Sequence, residues 1–337
     1  MRQLQILLIL TILTTVIINA KDYTQKRAVK SFISKMVKKH KFKRAYLNNL
    51  FKDVEFQQKA LGIFNPKYAI KTKKGKKYPK HGSWDRYEKI HLGDTRVEKG
   101  VEYLRKYKNT FRRAYKKYGV PPEYITAIIG IESYYGNNVG KFPAFDTLVT
   151  LGFEENRRSK YFRYELKNLL ILSKQNSFNP KHVKSSFAGA IGLGQFMPSS
   201  YYYAVDFNGD GKKSMMTTSD AIAGISNYFK RNGWRRGEPI ATQVKYKGNR
   251  FTSKKTGYIH KYRRESLKNI SPMYSKWNYW KDIRLIKLDR AKYDELWYGA
   301  KNFYVITRYN HSSYYAMAIH QLASKIRNKY WKKYGRF

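Results

Sequence analysis

Apolar residues return at helical spacing along Val120-Pro-Pro-Glu-Tyr-Ile-Thr-Ala-Ile-Ile-Gly-Ile-Glu-Ser-Tyr-Tyr-Gly136, which commits this stretch to a buried helix. Pro121-Pro122 suit its opening, and Gly136 with Asn137-Asn138 suits its end. Ile125, Ile128 and Ile129 precede Glu132 by seven, four and three residues, so all four share one stripe. The fold must therefore accommodate a carboxyl on the apolar face of a core helix. Such a group is either held at the stripe's edge by a neighbouring backbone group or an Arg, or it is desolvated. Desolvation raises a carboxyl pKa toward neutrality, the state required of a general acid that cleaves an acetal bond.

The chain opens Met1-Arg2-Gln3-Leu4-Gln5, runs apolar from Leu7 to Ile18, and reaches Asn19-Ala20 before Lys21-Asp22. This is a secretory leader over residues 1–20, with cleavage expected after Ala20 and an uncleaved anchor as the alternative. The 337 residues contain no cysteine, which excludes disulfides, thiol chemistry and a lipid-bearing Cys. Stability must come from packing, and the chain is long enough for one main core with a satellite. Sixty-nine Lys plus Arg against twenty-three Asp plus Glu give a formal charge of +46. That excess attracts polyanions such as an acidic wall polymer or anionic headgroups, unless Lys is simply the default surface residue. Export argues against nucleic acid as the partner.

Residues 24–60 read as amphipathic helices, with Val29, Phe32, Ile33 and Met36, then Tyr46, Leu47, Leu50 and Phe51, at helical spacing. Lys71 to His81 reads as an exposed loop. Further helices are expected over about Arg96–Tyr118, Lys160–Gln175, Asp220–Asn232 and Ser312–Tyr330. Between about Arg235 and Val305 the runs become short and β-branched. Ile283–Leu288 and Asn302–Thr307 typify them, and the pattern predicts a small strand-rich insertion. Ser186 to Ser200 intersperses glycines 189, 192 and 194 among apolar residues, allowing a backbone or ligand to approach closely.

Tyr118-Gly-Val-Pro-Pro-Glu123, Gly130-Ile-Glu-Ser133, Ser186-Phe-Ala-Gly-Ala-Ile-Gly-Leu-Gly-Gln-Phe-Met-Pro-Ser-Ser200, Ala204-Val-Asp-Phe-Asn-Gly-Asp-Gly211 and Phe303-Tyr-Val-Ile-Thr-Arg-Tyr-Asn310 together resemble a lytic murein transglycosylase of the B type. The likeness runs in order from about residue 25 to residue 325. It implies a mainly α fold, with a lysozyme-like helical catalytic core, a small strand-rich subdomain and an EF-hand-like loop. The matching organisation is a leader over 1–20, an N-terminal helical region over 21–100 and the catalytic core over 101–235. The strand-rich subdomain then spans 236–305, and the C-terminal helix of 306–337 completes the core.

The resemblance implies cleavage of the β-1,4 bond between N-acetylmuramic acid and N-acetylglucosamine without added water. Glu132 would be the only catalytic acid and base, protonating the leaving oxygen and then taking the proton of the muramyl C6 hydroxyl as that oxygen attacks C1. The product would be a 1,6-anhydromuramyl end. Ser186 and Gln195 match groove positions beside the acid, although capping and core hydrogen bonding are the ordinary uses of such residues. Tyr228, Tyr309 and Asn310 match positions for a sugar platform and amide contacts, and Tyr87 is a weaker match. A water-using muramidase would need a second carboxylate, for which Asp146, Glu154 and Glu155 are the candidates by sequence. A capping or turn role is the ordinary one for Asp146. A secreted basic wall-binding protein with a relict site is the non-enzymatic alternative.

Asp206, Asn208, Asp210 and Lys212 occupy positions one, three, five and seven of a calcium-loop pattern, with Gly211 at the turn. Position twelve is Thr217, not Glu, and the family pattern places an Asp further on, which Asp220 matches. A structural Ca²⁺ or Na⁺ is expected there, against a plain turn as the alternative, and catalysis needs no cofactor. The expected partner is the glycan strand of peptidoglycan, met by an exported monomer of the periplasm, with attachment to membrane or wall left open.

Overall fold

The computed structural model describes residues 20–70, 78–274 and 277–337. Apart from Ala20, the expected leader lies outside the described residues, as do residues 71–77 of the expected loop. In chain order the elements are β1 (Ala20–Lys21), α1 (Arg27–His40), α2 (Arg44–Lys52), β2 (Val54–Glu55), α3 (Gln58–Phe64), α4 (Ser83–His91), α5 (Asp94–Lys106), α6 (Lys108–Tyr118), α7 (Pro122–Ser133), β3 (Phe142–Pro143), α8 (Ala144–Phe153), α9 (Ser159–Gln175), β4 (Lys184–Ser185), α10 (Thr218–Arg231), β5 (Ala241–Lys245), β6 (Ser271–Pro272), β7 (Arg284–Asp289), β8 (Asp294–Gly299), α11 (Lys301–Tyr309) and α12 (Ser313–Tyr334). The protein is thus mainly helical with small antiparallel sheets. No helix among the described residues is long and apolar enough to cross a membrane.

Three apolar cores organise these elements. The stripes Val29-Ile33-Met36 of α1 and Leu47-Leu50-Phe51 of α2 close over α8 and α9 to make the first. The second joins α4 to α7 with α10, α11 and α12. Packing therefore divides the chain differently from a boundary at residue 100, because α4 and α5 belong to the second core and α8 and α9 to the first. The third core lies under the four-stranded sheet of order β6-β5-β8-β7. Along β7 the side chains alternate: Leu285 faces the sheet's own core, whereas Ile286 and Leu288 enter the second helical core.

Three expectations about elements need correction. The helix expected over Arg96–Tyr118 is two, broken at Tyr107, so that Val97, Val101 and Leu104 and then Phe111, Ala114 and Tyr118 all reach the core. Asn302–Thr307, read as strand-like, lies within α11, where Phe303 and Ile306 are one helical turn apart and both buried. Helix α8 was not anticipated. Nine of its ten residues, from Ala144 to Gly152, are buried, so no polar face imposes a 3.6-residue period on the sequence.

Candidate active site

Helix α7 begins at Pro122, where the missing N–H costs nothing, and Glu123 complements the positive end of the helix in its first turn. Gly119, at a φ of 74°, ends the preceding helix. Ile125, Ile128 and Ile129 are each no more than 1% exposed, as their stripe requires. Gly130 is needed for a different reason. A Cβ there would lie 2.6 Å from the hydroxyl of Tyr135, whose ring threads between α5 and α7, and Gly100 faces the same hydroxyl at the same distance. Tyr135 reaches that slot because Tyr134 and Tyr135 both adopt left-handed conformations, and its hydroxyl donates to the Arg96 carbonyl at 2.8 Å. The sharp exit leaves Glu132 at the last full turn of α7, partly open to solvent.

The Glu132 carboxylate accepts a hydrogen bond from the hydroxyl of Tyr315 at 2.5 Å. Burial pushes the Glu132 carboxyl up to about 7, and the phenol hydrogen bond, which favours the charged form, offsets only part of that. Tyr315 lies in the first turn of α12, behind Ser312, whose side chain accepts the Tyr315 N–H as an N-cap. The ring of Tyr309 stacks on Tyr315 with centroids 6.5 Å apart, and the Tyr309 hydroxyl donates to the Gly194 carbonyl at 2.5 Å. Burial, reinforced by the charge of Glu132, raises the pKa of Tyr309, Tyr315 and Tyr87, so all three remain phenols. Tyr87 rests on the fully buried Trp84 with ring centroids 5.9 Å apart.

The other residues singled out from the sequence occupy a connected but wider surface. Tyr228 packs its ring on Tyr309, with centroids 5.1 Å apart, and donates its hydroxyl to the Arg308 carbonyl at 2.5 Å. Gln195, itself left-handed at a φ of 49°, donates its amide to the carbonyls of Val139 and Gly192 at 3.1 and 3.0 Å. These bonds fix the side chain and leave its amide oxygen as the remaining polar handle. The Ser186 hydroxyl accepts the N–H groups of Ala188 and Ala190, so its visible duty is to hold the glycine-bearing turn. Asn310 is exposed at the end of α11, next to Tyr309 in the chain.

The three candidates for a second carboxylate lie in the first core or on its surface. Asp146 is the third residue of α8 and not its cap. One of its oxygens is buried without a partner among the described residues, and burial, reinforced by Glu55 and Asp53 and opposed by Lys181, pushes the carboxyl up to about 6. Glu154 accepts from Tyr23 at 2.7 Å and pairs with Lys26 at 2.8 Å, while Glu155 is exposed near Lys67. Tyr315, which touches the acid, was not visible in the sequence. Its cap signal, Ser312 before an aromatic third position, was the available clue.

In the loop from Asp206 to Asp220, Asp206 accepts the N–H groups of Gly209 and Gly211 at 2.7 and 2.9 Å. Asp210 accepts that of Lys212 at 2.8 Å and the Asn208 amide at 2.8 Å, and these bonds hold its carboxyl below the usual range. Asp220 is fully buried and bridges the N–H groups of Phe207 and Ser214, both at 2.9 Å, tying the two ends of the loop together. The donors are oxygens suited to a hard cation. No group of three acidic, His or Cys side chains converges among the described residues, so amide and carbonyl oxygens would have to complete any cation's shell.

A family model described as the transglycosylase SLT domain matches residues 24–324. The membrane-bound lytic murein transglycosylase B of Escherichia coli (strain K12) is 37% identical over 311 residues, covering 90% of this chain and 84% of that protein. The Escherichia coli lytic transglycosylase Slt35, solved in complex with calcium, aligns with a TM-score of 0.83 at 36% identity, covering 92% of this chain and 95% of that one. The soluble lytic transglycosylase SltB1 of Pseudomonas aeruginosa aligns with a TM-score of 0.76 at 33% identity, covering 90% and 99% of the two chains.

Proposed function

The chain belongs to the lytic murein transglycosylase B family, and from that premise we propose that Glu132 alone carries the acid and base steps of glycan cleavage. The protein is a lytic transglycosylase acting on peptidoglycan. The observation that carries the residue assignment is a partly open carboxyl raised to about 7 with one phenol donating to it. At neutral pH such a group is present in both forms, as a residue that first gives and then takes a proton requires. Protonated Glu132 delivers its proton to the glycosidic oxygen as the β-1,4 bond to N-acetylglucosamine breaks and positive charge develops on the muramyl ring. The resulting carboxylate then takes the C6 hydroxyl proton while O6 closes on C1, forming the 1,6-anhydro bond and restoring the acid. Atoms and charge balance without water.

A hydrolytic route is less well supported, since Asp146, Glu154 and Glu155 sit with the first core and not beside Glu132. Tyr87, Tyr228 and Tyr309 supply faces for pyranose rings, while Gln195, Ser186 and Asn310 supply polar contacts along the strand. The second core, from α4 to α7 with α10, α11 and α12, is the lysozyme-like unit, buttressed by the first core. The Asp206–Asp220 loop takes a structural cation with no part in the chemistry, and the protein acts in the cell envelope, where its substrate lies. Digestion of purified murein followed by mass spectrometry of the chain ends tests the reaction. Anhydromuramyl ends from the wild type, lost in Glu132→Gln, are expected; reducing ends would instead show hydrolysis.

A further inference from the structure

Helix α4 carries Tyr87 but has little core of its own to hold it, since Trp84 is the one buried residue of its nine. The residue before its first turn is Gly82, which has no side chain to cap the free N–H groups. The tip of the β7–β8 hairpin supplies what α4 lacks. The Asp289 carboxylate, at the end of β7, accepts the Ser83 N–H at 3.1 Å and the Ser83 hydroxyl at 2.9 Å, and so caps the helix from another element. Arg290, next in the chain, donates to Asp85 at 2.9 Å and to Glu88 at 2.6 Å, gripping α4 on both sides of Tyr87 in the sequence. The Ala291 N–H adds a bond to Asp85 at 2.8 Å.

The grip is itself held in place. Glu295 accepts the Arg290 Nε–H and the Trp297 indole N–H, both at 2.7 Å. Arg250 donates to Asp289, to Asp294 and to the carbonyls of Arg290 and Ala291, at 2.7 to 3.2 Å. On α4, the Tyr87 ring lies on Trp84 and meets the Tyr314 ring, with centroids 5.8 Å apart in the second pair. Tyr314 directly precedes the donor to Glu132. Its hydroxyl lies 2.8 Å from that of Ser83 and accepts the Asp289 N–H at 3.1 Å. The charge of Glu132 also reaches the Tyr87 phenol. The hairpin tip, α4 and the first turn of α12 therefore meet around one ring beside the acid.

We propose that Arg290 is a positioning residue for glycan cleavage: from the hairpin tip it fixes α4, and α4 presents the Tyr87 ring to the sugar beside Glu132. The strand-rich subdomain, none of whose side chains bonds to Glu132 among the described residues, acts on the reaction through this contact. The proposal rests on Tyr87 serving as a sugar platform, but the two can fail separately. Misplacing an aromatic face removes binding shared by the ground and transition states, so the loss belongs in KM and not in kcat.

The test measures murein cleavage by the full chain carrying Arg290→Ala, Asp85→Ala/Glu88→Ala, Tyr87→Ala or the triple Asp85→Ala/Glu88→Ala/Tyr87→Ala. The double variant breaks the same grip from α4, without stranding the buried Glu295 as Arg290→Ala does. The first three should each raise KM roughly tenfold, the size of one aromatic contact, with kcat within about twofold. The triple variant should be no worse than Tyr87→Ala. Removing two acids makes the chain more basic, so simple attraction of a polyanion would lower KM instead. Amide hydrogen exchange in the double variant should quicken in α4 and stay unchanged in α7 and α12. Losses that multiply in the triple variant would overturn the positioning role, as would unchanged exchange in α4. So would a wild-type KM in the double variant while Tyr87→Ala is impaired. A wild-type KM in Tyr87→Ala would remove the platform, and the proposal with it.

Discussion

Glu132 in the second core and Glu165 in the first are both helix-borne carboxylates pushed up by burial, yet their surroundings give them opposite uses. Glu165, 1% exposed, accepts the N–H and the hydroxyl of Ser199 at 2.9 and 2.8 Å, one bond for each oxygen, and so pins the turn after the glycine-bearing loop to α9. Glu132 has one donor, Tyr315, on one oxygen, and its other oxygen is without a protein partner among the described residues. Burial alone does not make a carboxyl reactive. A fully bonded buried carboxyl acts as a staple, whereas one with an uncommitted oxygen and access to solvent can exchange its proton with a substrate.

Paired amide substitutions should separate the two most widely. Glu132→Gln keeps the shape and removes the proton, so murein cleavage should fall roughly 100- to 10,000-fold with the fold intact. Glu165→Gln should leave kcat within about twofold while weakening a buried charge-assisted contact worth roughly 1–3 kcal/mol. Steady-state rates beside urea melts would check both, and a Glu165→Gln enzyme that is stable but inactive would break the contrast.

Removing the single donor should have a smaller effect. In Tyr315→Phe the bond favouring the carboxylate is lost, so the Glu132 pKa should rise further and the alkaline limb of the kcat profile should move to higher pH, with kcat reduced roughly tenfold. An alkaline limb that stays in place would mean the phenol does not tune the acid.

Stability should also depend on pH through Glu132. The Glu132 pKa is raised from 4.5 to about 7 on folding, so the native state binds more protons than the unfolded chain between those values. Stability from this group is complete below about 4.5 and declines as pH rises toward 7. Glu132→Gln should therefore melt higher than wild type at pH 8, by roughly 1–3 kcal/mol, and similarly to it at pH 4. Equal melting gaps at both values would contradict the burial argument.

The smallest effect concerns the Asp206–Asp220 loop. Calcium at tenfold excess over its Kd should stabilise by roughly 1.4 kcal/mol, about 2 °C for a chain of this length, and Asp210→Ala should abolish the gain. Chelation should leave the activity of folded enzyme unchanged; a loss would give the cation a role in the chemistry.

Much of this arrangement was legible in the chain because the relevant signals are local. The stripe Ile125-Ile128-Ile129-Glu132, the Pro122 start and the Asp206–Lys212 spacing each lie within one element, and short-range periodicity or turn chemistry reports them directly. Tyr315 was not legible, since it meets Glu132 across 183 residues of sequence and no local rule links the two. Helix α8 was hidden by being buried on all sides, and α11 by β-branched residues whose weak strand preference yields to packing of Phe303 and Ile306 in the second core. Gly130 reads as a poor helix residue until Tyr135 is seen lying against it.

The most direct test of Glu132 as a poised acid is its own titration, read as the carboxyl stretch in infrared difference spectra of wild type minus Glu132→Gln from pH 4 to 9. The expected result is a protonated-carboxyl band that disappears with a midpoint near 7. A band already lost near 4.5, the ordinary value for a solvated glutamate, would contradict the assignment of Glu132 as the proton donor at neutral pH.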